Sequence, residues 1–524
     1  MSLVTRRELL GHAGALGLGV AFLPHAARVV RAGETGRPAR GETPDGVVLE
    51  VVESGGLSHY SYFLADTRAG VAAVIDPRRD VAAYLKLAEE HGVTITLAIE
   101  THVHADFVSG ARELADRTGT AKIAASVEGG AAYGFPVDRK LKDGDTLNVG
   151  SIRLRAIHTP GHTPEHLSYV ASTKKEDRPW SLFTGDFLFI GSIGRPDLMG
   201  VKNTEGLAQK LYQSVRTAYA DLPDALPIHP AHGPGSPCGA NIQKPKGTPT
   251  LGRERDANPY WRIEDQADFV EALLAAQPPI PYYWPRMKQV NAAGPKVLGD
   301  RPAPEALAPA AFEKLIAGGD VQLVDTQLMF GYAGGHIRGA TDLGYNEVMS
   351  LWGGWTLDYD KPIALVVPET ADAEGPRDWL ARVDLTEVQG FLKGGMTAWV
   401  KSGRPFDSFQ TMSVREVHET FPTDAMQLLD VRQPSEWDMG HVKGAKYIFL
   451  PELPKRLNEL DRSKPVVVYC GNGYRATLGA SLLRQNGFDA RTVPGSWDAW
   501  TAAGLPVQTP RSPGKPSDTT RRSA

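Results

Sequence analysis

Cysteine is scarce in this chain: two residues, Cys238 and Cys470, in a length of 524. A disulfide-stapled scaffold is thereby excluded. No apolar run approaches the ~20 residues that a membrane-spanning helix needs, so no stable membrane span is expected. A dominant charge sign is missing too, because 57 Lys and Arg face 61 Asp and Glu for a formal net charge of -4. Without a broad basic surface, nucleic acid is excluded as a general partner. What is present is a globular composition, 42% hydrophobic and 23% charged, which excludes bulk disorder. At roughly 100–200 residues per domain, the length implies three or four domains.

The amino terminus departs from the mean. Arg6-Arg7 precedes a Gly- and Ala-rich apolar stretch to Leu23, and Ala26-Ala27-Arg28-Val29-Val30-Arg31-Ala32 follows. Residues 1–32 resemble a twin-arginine export signal, which implies a periplasmic protein. A cytoplasmic protein with a short amphipathic N-terminal helix is the alternative.

From Val47 onward, short apolar runs alternate with helical spacing. Strands are expected to start near Val47, Tyr60, Ala72, Thr94, Ile152, Leu167 and Ser181, with helices over 81–91 and 108–117. The pattern spans 46–275 as one α/β unit, in which 234–262, rich in Pro, Gly, Lys and Arg, reads as an extended arm. A proline-rich linker occupies 278–310. Beyond it the sequence is duplicated. Leu323-Val324-Asp325 with Gly335-His336-Ile337-Arg338-Gly339-Ala340 recurs as Leu429-Asp430-Val431 with Gly440-His441-Val442-Lys443-Gly444-Ala445. Ala398-Trp399 likewise recurs as Ala499-Trp500. Two α/β units over 305–406 and 411–508 account for this, and 509–524 reads as a disordered tail.

Histidine is unevenly spread. His102, His104, His158, His162, His166, His229 and His232 make up seven of the 14. A lone histidine is more often satisfied in a core than bound to metal, so the joint pattern carries the argument. That pattern is His102-x-His104-x-Asp106, then His162 in Thr159-Pro160-Gly161-His162-Thr163, then Asp186 in Thr184-Gly185-Asp186, then His232. Its order and spacing resemble the metallo-β-lactamase fold, an αββα sandwich, over 46–275. In dinuclear members of that fold a histidine follows the aspartate of the first motif; here the position is Phe107. The absent imidazole belongs to the second metal, so a single metal is favoured. Two imidazoles and one carboxylate with open positions suit Fe(II), whereas Zn(II) favours closed tetrahedral ligation with one water. Resemblance to persulfide dioxygenases implies His102, His162 and Asp186 as ligands of one Fe(II), with His104, Asp106 and His232 orienting them or serving as alternative ligands. The turn Gly194-Arg195-Pro196-Asp197 is similar to one in the same enzymes, which implies that Arg195 meets a substrate carboxylate. A local Arg/Asp pair on a surface turn is the even alternative. Cys238, on the arm, reads as a structural thiol, with sulfur carriage as the lesser reading.

In the last unit, Val466-Val467-Val468-Tyr469 is a buried-type strand ending in Cys470, and Gly471-Asn472-Gly473-Tyr474-Arg475 turns into a helix over 476–485. Converging backbone N–H groups and the helix dipole favour a thiolate and the persulfide it becomes. Arg475 adds a fixed positive charge, and Gly471, Asn472, Gly473 and Tyr474 are the expected substrate-binding cradle. With Asp430-Val431-Arg432, Glu436-Trp437 and Gly440-His441 in register, this unit resembles a rhodanese domain. In the middle copy the strand Ile363-Ala364-Leu365-Val366-Val367 leads to Pro368-Glu369-Thr370, without a thiol. It reads as an inactive rhodanese-like unit.

Taken together, the chain after residue 32 resembles a persulfide dioxygenase–rhodanese fusion. The resemblance implies oxidation of a low-molecular-weight persulfide, glutathione persulfide above others, by O2 to sulfite, with Cys470 making or consuming thiosulfate. A homo-oligomer is the expected assembly. A Zn(II) thioester hydrolase of the glyoxalase II kind with a sulfurtransferase domain is the alternative. Rhodanese units that dock partners without catalysis, and an inactive binding protein with a residual site, are further ones.

Overall fold

The computed structural model describes residues 43–131 and 133–509. The expected signal at 1–32 and all but the first residue of the expected tail at 509–524 lie outside the described residues. Among the described residues no helix is long and apolar enough to cross a membrane.

Two sheets face each other in the first unit. One holds six strands in sequence order: Val47–Ser54, His59–Asp66, Val71–Ile75, Thr94–Ile99, Lys122–Ser126 and Arg139–Leu141. The other runs Ile228–Pro230, Ser181–Gly185, Leu167–Thr173, Ile152–His158, Thr146–Val149. Their inner faces share one core, with Leu49, Tyr62, Ile75 and Ile99 from the first sheet against Ile152, Leu154, Tyr169 and Phe183 from the second. Helices Ala82–Glu90 and Ala111–Thr118 cover the first sheet, while Val201–Thr217 and Gln266–Ala275 cover the second. Layers on both sides explain why His59–Asp66 is buried along its whole length rather than alternating. In the second sheet Ser181–Gly185 is parallel to Ile228–Pro230, and both run with Ile152–His158 through the antiparallel strand between. The loops that follow these three strands therefore emerge at one end.

The middle and last units are parallel sheets of matching order. Thr341–Asp342, Gln322–Asp325, Ile363–Val366 and Val388–Leu392 correspond to Lys446–Tyr447, Gln427–Asp430, Val466–Tyr469 and Ala490–Thr492. The middle unit adds an edge strand, Ala306–Leu307.

Two expectations of irregular structure give way to packed structure. The arm contains a helix, Leu251–Ala257, whose start is capped by the Thr250 hydroxyl accepting from Arg253 N–H. The linker contains another, Trp284–Ala293, with Pro285 in its first turn, where a missing N–H costs nothing. Proline there starts a helix that buries Trp284 and Met287.

The three units share an apolar core that runs from Phe107, Val108 and Trp284 through Met349 and Trp352 to Leu450 and Cys470. Backbone bonds stitch the first seam: Val108 N–H donates to Arg382 O at 2.7 Å and Gly56 N–H to Glu347 O at 2.8 Å. The Arg382 guanidinium also grips Asp80 with bonds of 3.0 and 2.7 Å.

Candidate metal centre and sulfur-carrying loop

Each expected metal ligand lies in a loop that follows a strand, so the sheets bring together residues far apart in sequence. His102 and His104 come after Thr94–Ile99, His162 after Ile152–His158, Asp186 after Ser181–Gly185 and His232 after Ile228–Pro230. Gly185 makes the last turn before Asp186 possible: its φ is +52°, and a Cβ there would lie 2.4 Å from His166 Nε2.

His102 Nε2 and His162 Nε2 lie 3.8 and 3.4 Å from Asp186 Oδ2. These three atoms are buried and have no hydrogen-bond partner, and they lie within 4.8 Å of one another. Three orphaned donor atoms converging in a closed core are costly unless a cation receives them, so the set fits a metal. The opposite nitrogens are occupied. The Thr101 hydroxyl donates to Asp76 Oδ2 at 3.0 Å and so accepts from His102 Nδ1 at 2.9 Å. His162 Nδ1 donates to Arg195 O at 2.9 Å. Both rings are thus held as the tautomer that offers Nε2 as a lone pair. Burial, together with neighbouring imidazoles, holds both well below the ordinary histidine range, hence neutral.

The remaining expected residues surround this set. His232 bridges two carboxylates, with Nδ1 at 2.6 Å from Asp186 Oδ1 and Nε2 at 2.8 Å from Asp106 Oδ2. Burial lowers its basicity, but Asp186, Cys238 and Asp106 outweigh that and hold it well above the ordinary range. It fixes Asp186 so that Oδ2 is the free oxygen. His104 turns away, its Nε2 at 3.1 Å from Asp76 Oδ1 and 3.4 Å from Glu100 Oε2. Against the effect of burial, these carboxylates raise it to about 10. Phe107 stacks on His59 with ring centroids 3.9 Å apart, so an apolar ring lies where a second-metal imidazole is absent. Cys238 lies with Asp106 and His232, and burial pushes its thiol well up.

Arg195 departs from its expected role. It is 1% exposed; its guanidinium pairs with Asp197 at 2.7 and 2.8 Å and donates to Pro237 O at 2.9 Å and Pro278 O at 2.8 Å. With four of its five N–H donors taken, this buried guanidinium pins the arm and linker together and pairs with Asp197 rather than standing free for a substrate carboxylate.

In the last unit, Cys470 is buried at the floor of its loop, and Gly473 N–H donates to Cys470 Sγ at 3.1 Å. Gly473 has φ +116°, and a Cβ there would lie 2.6 Å from Met329 Sδ of the middle unit. The neighbouring turn holds the loop from behind: Ser496 Oγ accepts from Cys470 N–H at 3.1 Å, while Trp497 N–H and Asp498 N–H donate to Cys470 O and Gly471 O at 3.0 and 2.9 Å. Asn472 Oδ1 accepts from Tyr474 N–H at 3.3 Å. Arg475 lies over the loop, held by Glu436 through bonds of 2.5 and 2.8 Å, with its guanidinium 5.8 Å from the Trp352 ring centroid. The Tyr474 side chain does not join the expected cradle. Its hydroxyl donates to Gly344 O of the middle unit at 3.2 Å, so only its backbone serves the loop.

Three residues that position the metal loop were not singled out from sequence. Thr101 is signalled only by its place beside His102, and Asp76 by its place at a strand end. Asn291 has no local signal. From the linker helix its amide donates to His104 O at 2.8 Å and Phe107 O at 2.7 Å, and it accepts from Ser109 N–H at 2.9 Å.

Two family models match: the metallo-beta-lactamase superfamily over residues 54–232 and the rhodanese-like domain over 413–503. Hydroxyacylglutathione hydrolase of Rhodospirillum rubrum is 31% identical over 238 residues, 41% of this chain and 86% of that protein. The mitochondrial persulfide dioxygenase of Bos taurus is 32% identical over 175 residues, 33% of this chain and 63% of that protein. The match therefore spans under two thirds of the dioxygenase. A crystal structure of a metallo-beta-lactamase from Staphylococcus aureus superposes with a TM-score of 0.58 at 30% identity, covering 67% of this chain and 99% of that one.

Proposed function

Because the chain belongs to the metallo-β-lactamase superfamily and carries a C-terminal rhodanese-like domain, we propose that it is a persulfide dioxygenase with sulfurtransferase activity. The first reaction is RSS⁻ + O2 + H2O → RSH + SO3²⁻ + H⁺, with glutathione persulfide as the preferred substrate. The second moves sulfane sulfur through Cys470: Cys470-S-S⁻ + SO3²⁻ → Cys470-S⁻ + S2O3²⁻, or its reverse.

The observation that carries this reading is the set of orphaned atoms His102 Nε2, His162 Nε2 and Asp186 Oδ2, beside which His232 is taken up by Asp106 and Asp186. Two imidazoles and one carboxylate with open positions suit a non-haem ferrous ion. Such an ion supplies the one-electron chemistry by which ground-state O2 reacts with a closed-shell sulfur anion. The protein's own residues do the rest. Thr101 and the Arg195 carbonyl aim the two imidazoles, and His232 holds Asp186. At the other site the Cys470 loop offers the Gly473 N–H to the sulfur while Arg475 supplies positive charge.

Metal analysis of protein purified without added metal, with O2 uptake and sulfite and thiosulfate detection on glutathione persulfide, tests the reading. Iron in the protein, O2 uptake and its loss in His102→Ala are expected; no iron and no uptake would overturn it. The hydroxyacylglutathione hydrolase match, which covers 86% of that relative, supports a second reading as a Zn(II) thioester hydrolase. Turnover of a glutathione thioester by zinc-loaded protein, without O2 uptake, would favour that one. Export through residues 1–32 is likewise proposed; a mature chain starting past residue 32 in the periplasmic fraction is the expected finding.

A further inference from the structure

The Cys470 loop has a glycine at Gly471 and another at Gly473, and each yields its side-chain space to a different residue. A Cβ at Gly471 would lie 3.0 Å from Arg475 Nη2, while a Cβ at Gly473 would lie 2.6 Å from Met329 Sδ and 3.1 Å from Met329 Cε. The first neighbour is a cation of the last unit. The second is a thioether of the middle unit, the one without a thiol. Corresponding helices of the duplication set both. Helix Pro434–Met439 carries Glu436, which holds the Arg475 guanidinium at 2.5 and 2.8 Å. Helix Met329–Gly334 begins with Met329 itself.

The middle unit borders the next two residues of the loop as well. Tyr474 donates to Gly344 O at 3.2 Å, and a Cβ at Gly344 would lie 3.5 Å from Tyr474 Cε2 and 3.6 Å from Leu328 Cδ2. The Arg475 guanidinium lies 5.8 Å from the Trp352 ring centroid. Behind the thiol, Ser496, Trp497 and Asp498 bond to the backbone of Cys470 and Gly471. Cys470 itself is fully buried, so a reactant must pass these neighbours to reach its sulfur. On the middle unit's side they are apolar outward too, since Leu328 is 53% and Phe330 67% exposed. Met329 between them is half-buried. Its unbranched thioether fills the space over Gly473 without supplying a charge or a strong hydrogen bond.

We infer that Met329 is a specificity-determining residue of the Cys470 site, the apolar wall that selects sulfur acceptors by size. A compact anion needs only the charge of Arg475 and a path to the terminal sulfur, as in Cys470-S-S⁻ + CN⁻ → Cys470-S⁻ + SCN⁻. A thiol on a large carrier, in Cys470-S-S⁻ + RS⁻ → Cys470-S⁻ + RSS⁻, has to push the thioether aside. The inference rests on the sulfurtransferase reading for its acceptors, whereas access to the thiol is measurable without any transfer. It gives the unit that lacks a thiol a part in the chemistry of the unit that has one.

The test alkylates the full-length protein, Met329→Ala, Met329→Leu and Met329→Phe with iodoacetamide and with its bulky fluorescein derivative, reading Cys470 and Cys238 separately by peptide mass. Met329→Ala is expected to speed the bulky reagent at Cys470 by about tenfold or more and iodoacetamide by less than about threefold, with Cys238 unchanged. Met329→Leu, which keeps the bulk, should retain the wild-type ratio of the two rates. Met329→Phe should slow the bulky reagent further, which tests the wall even if the alanine variant fails to fold. With thiosulfate as donor, Met329→Ala should raise kcat/KM for glutathione relative to cyanide by about tenfold. Equal acceleration of both reagents in Met329→Ala, an unchanged ratio in both Met329→Ala and Met329→Phe, or a ratio in Met329→Leu equal to that of Met329→Ala would each overturn the inference. If the alkylation pattern holds while the wild-type protein transfers no sulfur to either acceptor, the wall stands and the sulfurtransferase reading fails.

Discussion

The middle and last units are two solutions of one plan, and they differ where sulfur chemistry is concerned. Both stack an aromatic ring on a histidine, Tyr332 on His336 at 4.1 Å and Trp437 on His441 at 3.5 Å. Both close a turn with an indole N–H, Trp399 to Pro405 O at 2.8 Å and Trp500 to Pro506 O at 3.0 Å. In the last unit Arg432 grips the strand-end Asp430 at 2.7 Å and donates to Gly440 O at 2.6 Å. In the middle unit Gln327 makes the same two contacts, to Asp325 Oδ2 at 3.0 Å and Gly335 O at 3.1 Å. An amide reproduces the geometry and omits the charge. Burial then pushes the Asp325 carboxyl up to about 7. The fold thus needs the hydrogen bonds; the cation accompanies the unit that has the thiol.

The contrast can be broken or sharpened by substitution, and the largest effect is expected at the thiol. Cys470→Ser should reduce thiosulfate sulfurtransferase activity by on the order of 10³ or more and leave O2 uptake on persulfide intact. Val367→Ser, at the place that the strand registers match to Cys470 in the middle unit, should change neither rate. Full sulfurtransferase activity in Cys470→Ser would remove the distinction altogether.

Next comes Arg432→Gln, which gives the last unit the middle unit's residue. Removing one member of a buried pair strands a carboxylate, at a cost of about 3–5 kcal/mol. A fall in the thermal midpoint of the last unit by only a degree or two would mean that the amide suffices in both places.

The third prediction concerns pH. The folded pKa of Asp325, about 7, lies above the ~3.9 of an unfolded aspartate. Folding therefore takes up a proton between these values. This contribution to the middle unit's stability is full below about pH 4 and falls as pH rises through 7, by roughly 2–4 kcal/mol in all. Asp325→Asn should flatten that slope in thermal melts from pH 5 to 8; an unaltered slope would show that Asp325 is already ionised.

The smallest effect belongs to the seam. Tyr474→Phe removes one hydrogen bond to Gly344 O and should cost about 0.5–1.5 kcal/mol while sulfur transfer stays within twofold. A tenfold loss of transfer would return the hydroxyl to the substrate cradle.

The parts legible in the sequence are those with a local period or a repeated spacing. The duplicated Asp-to-His interval of 11 residues corresponds to two parallel sheets of the same order, and the histidine motifs lie at loop ends that the sheets bring together. Arg195 was not legible, because whether a guanidinium faces solvent or backbone carbonyls at Pro237 and Pro278 depends on where the arm and linker pack. The helix within the proline-rich linker was hidden for a related reason. Pro285 marks a helix start there, and Asn291 bonds to carbonyls 187 and 184 positions away, a relation with no trace in neighbouring residues. Tyr474 shows the same limit from the other side, since its hydroxyl was claimed by a domain 130 positions away.

The bond from Val108 N–H to Arg382 O, with Arg382 clamped on Asp80, bears on how the molecule can be taken apart. A cut between the first and middle units would uncover Phe107, Tyr283 and Trp284, all buried in the intact chain, and each large aromatic ring represents roughly 150–250 Å² of surface. Such a patch on an excised domain invites self-association. The middle unit therefore ties the two candidate sites into one body: substitution at His102 or Cys470 addresses each site within the intact chain, whereas an excised half is expected to self-associate through the uncovered rings.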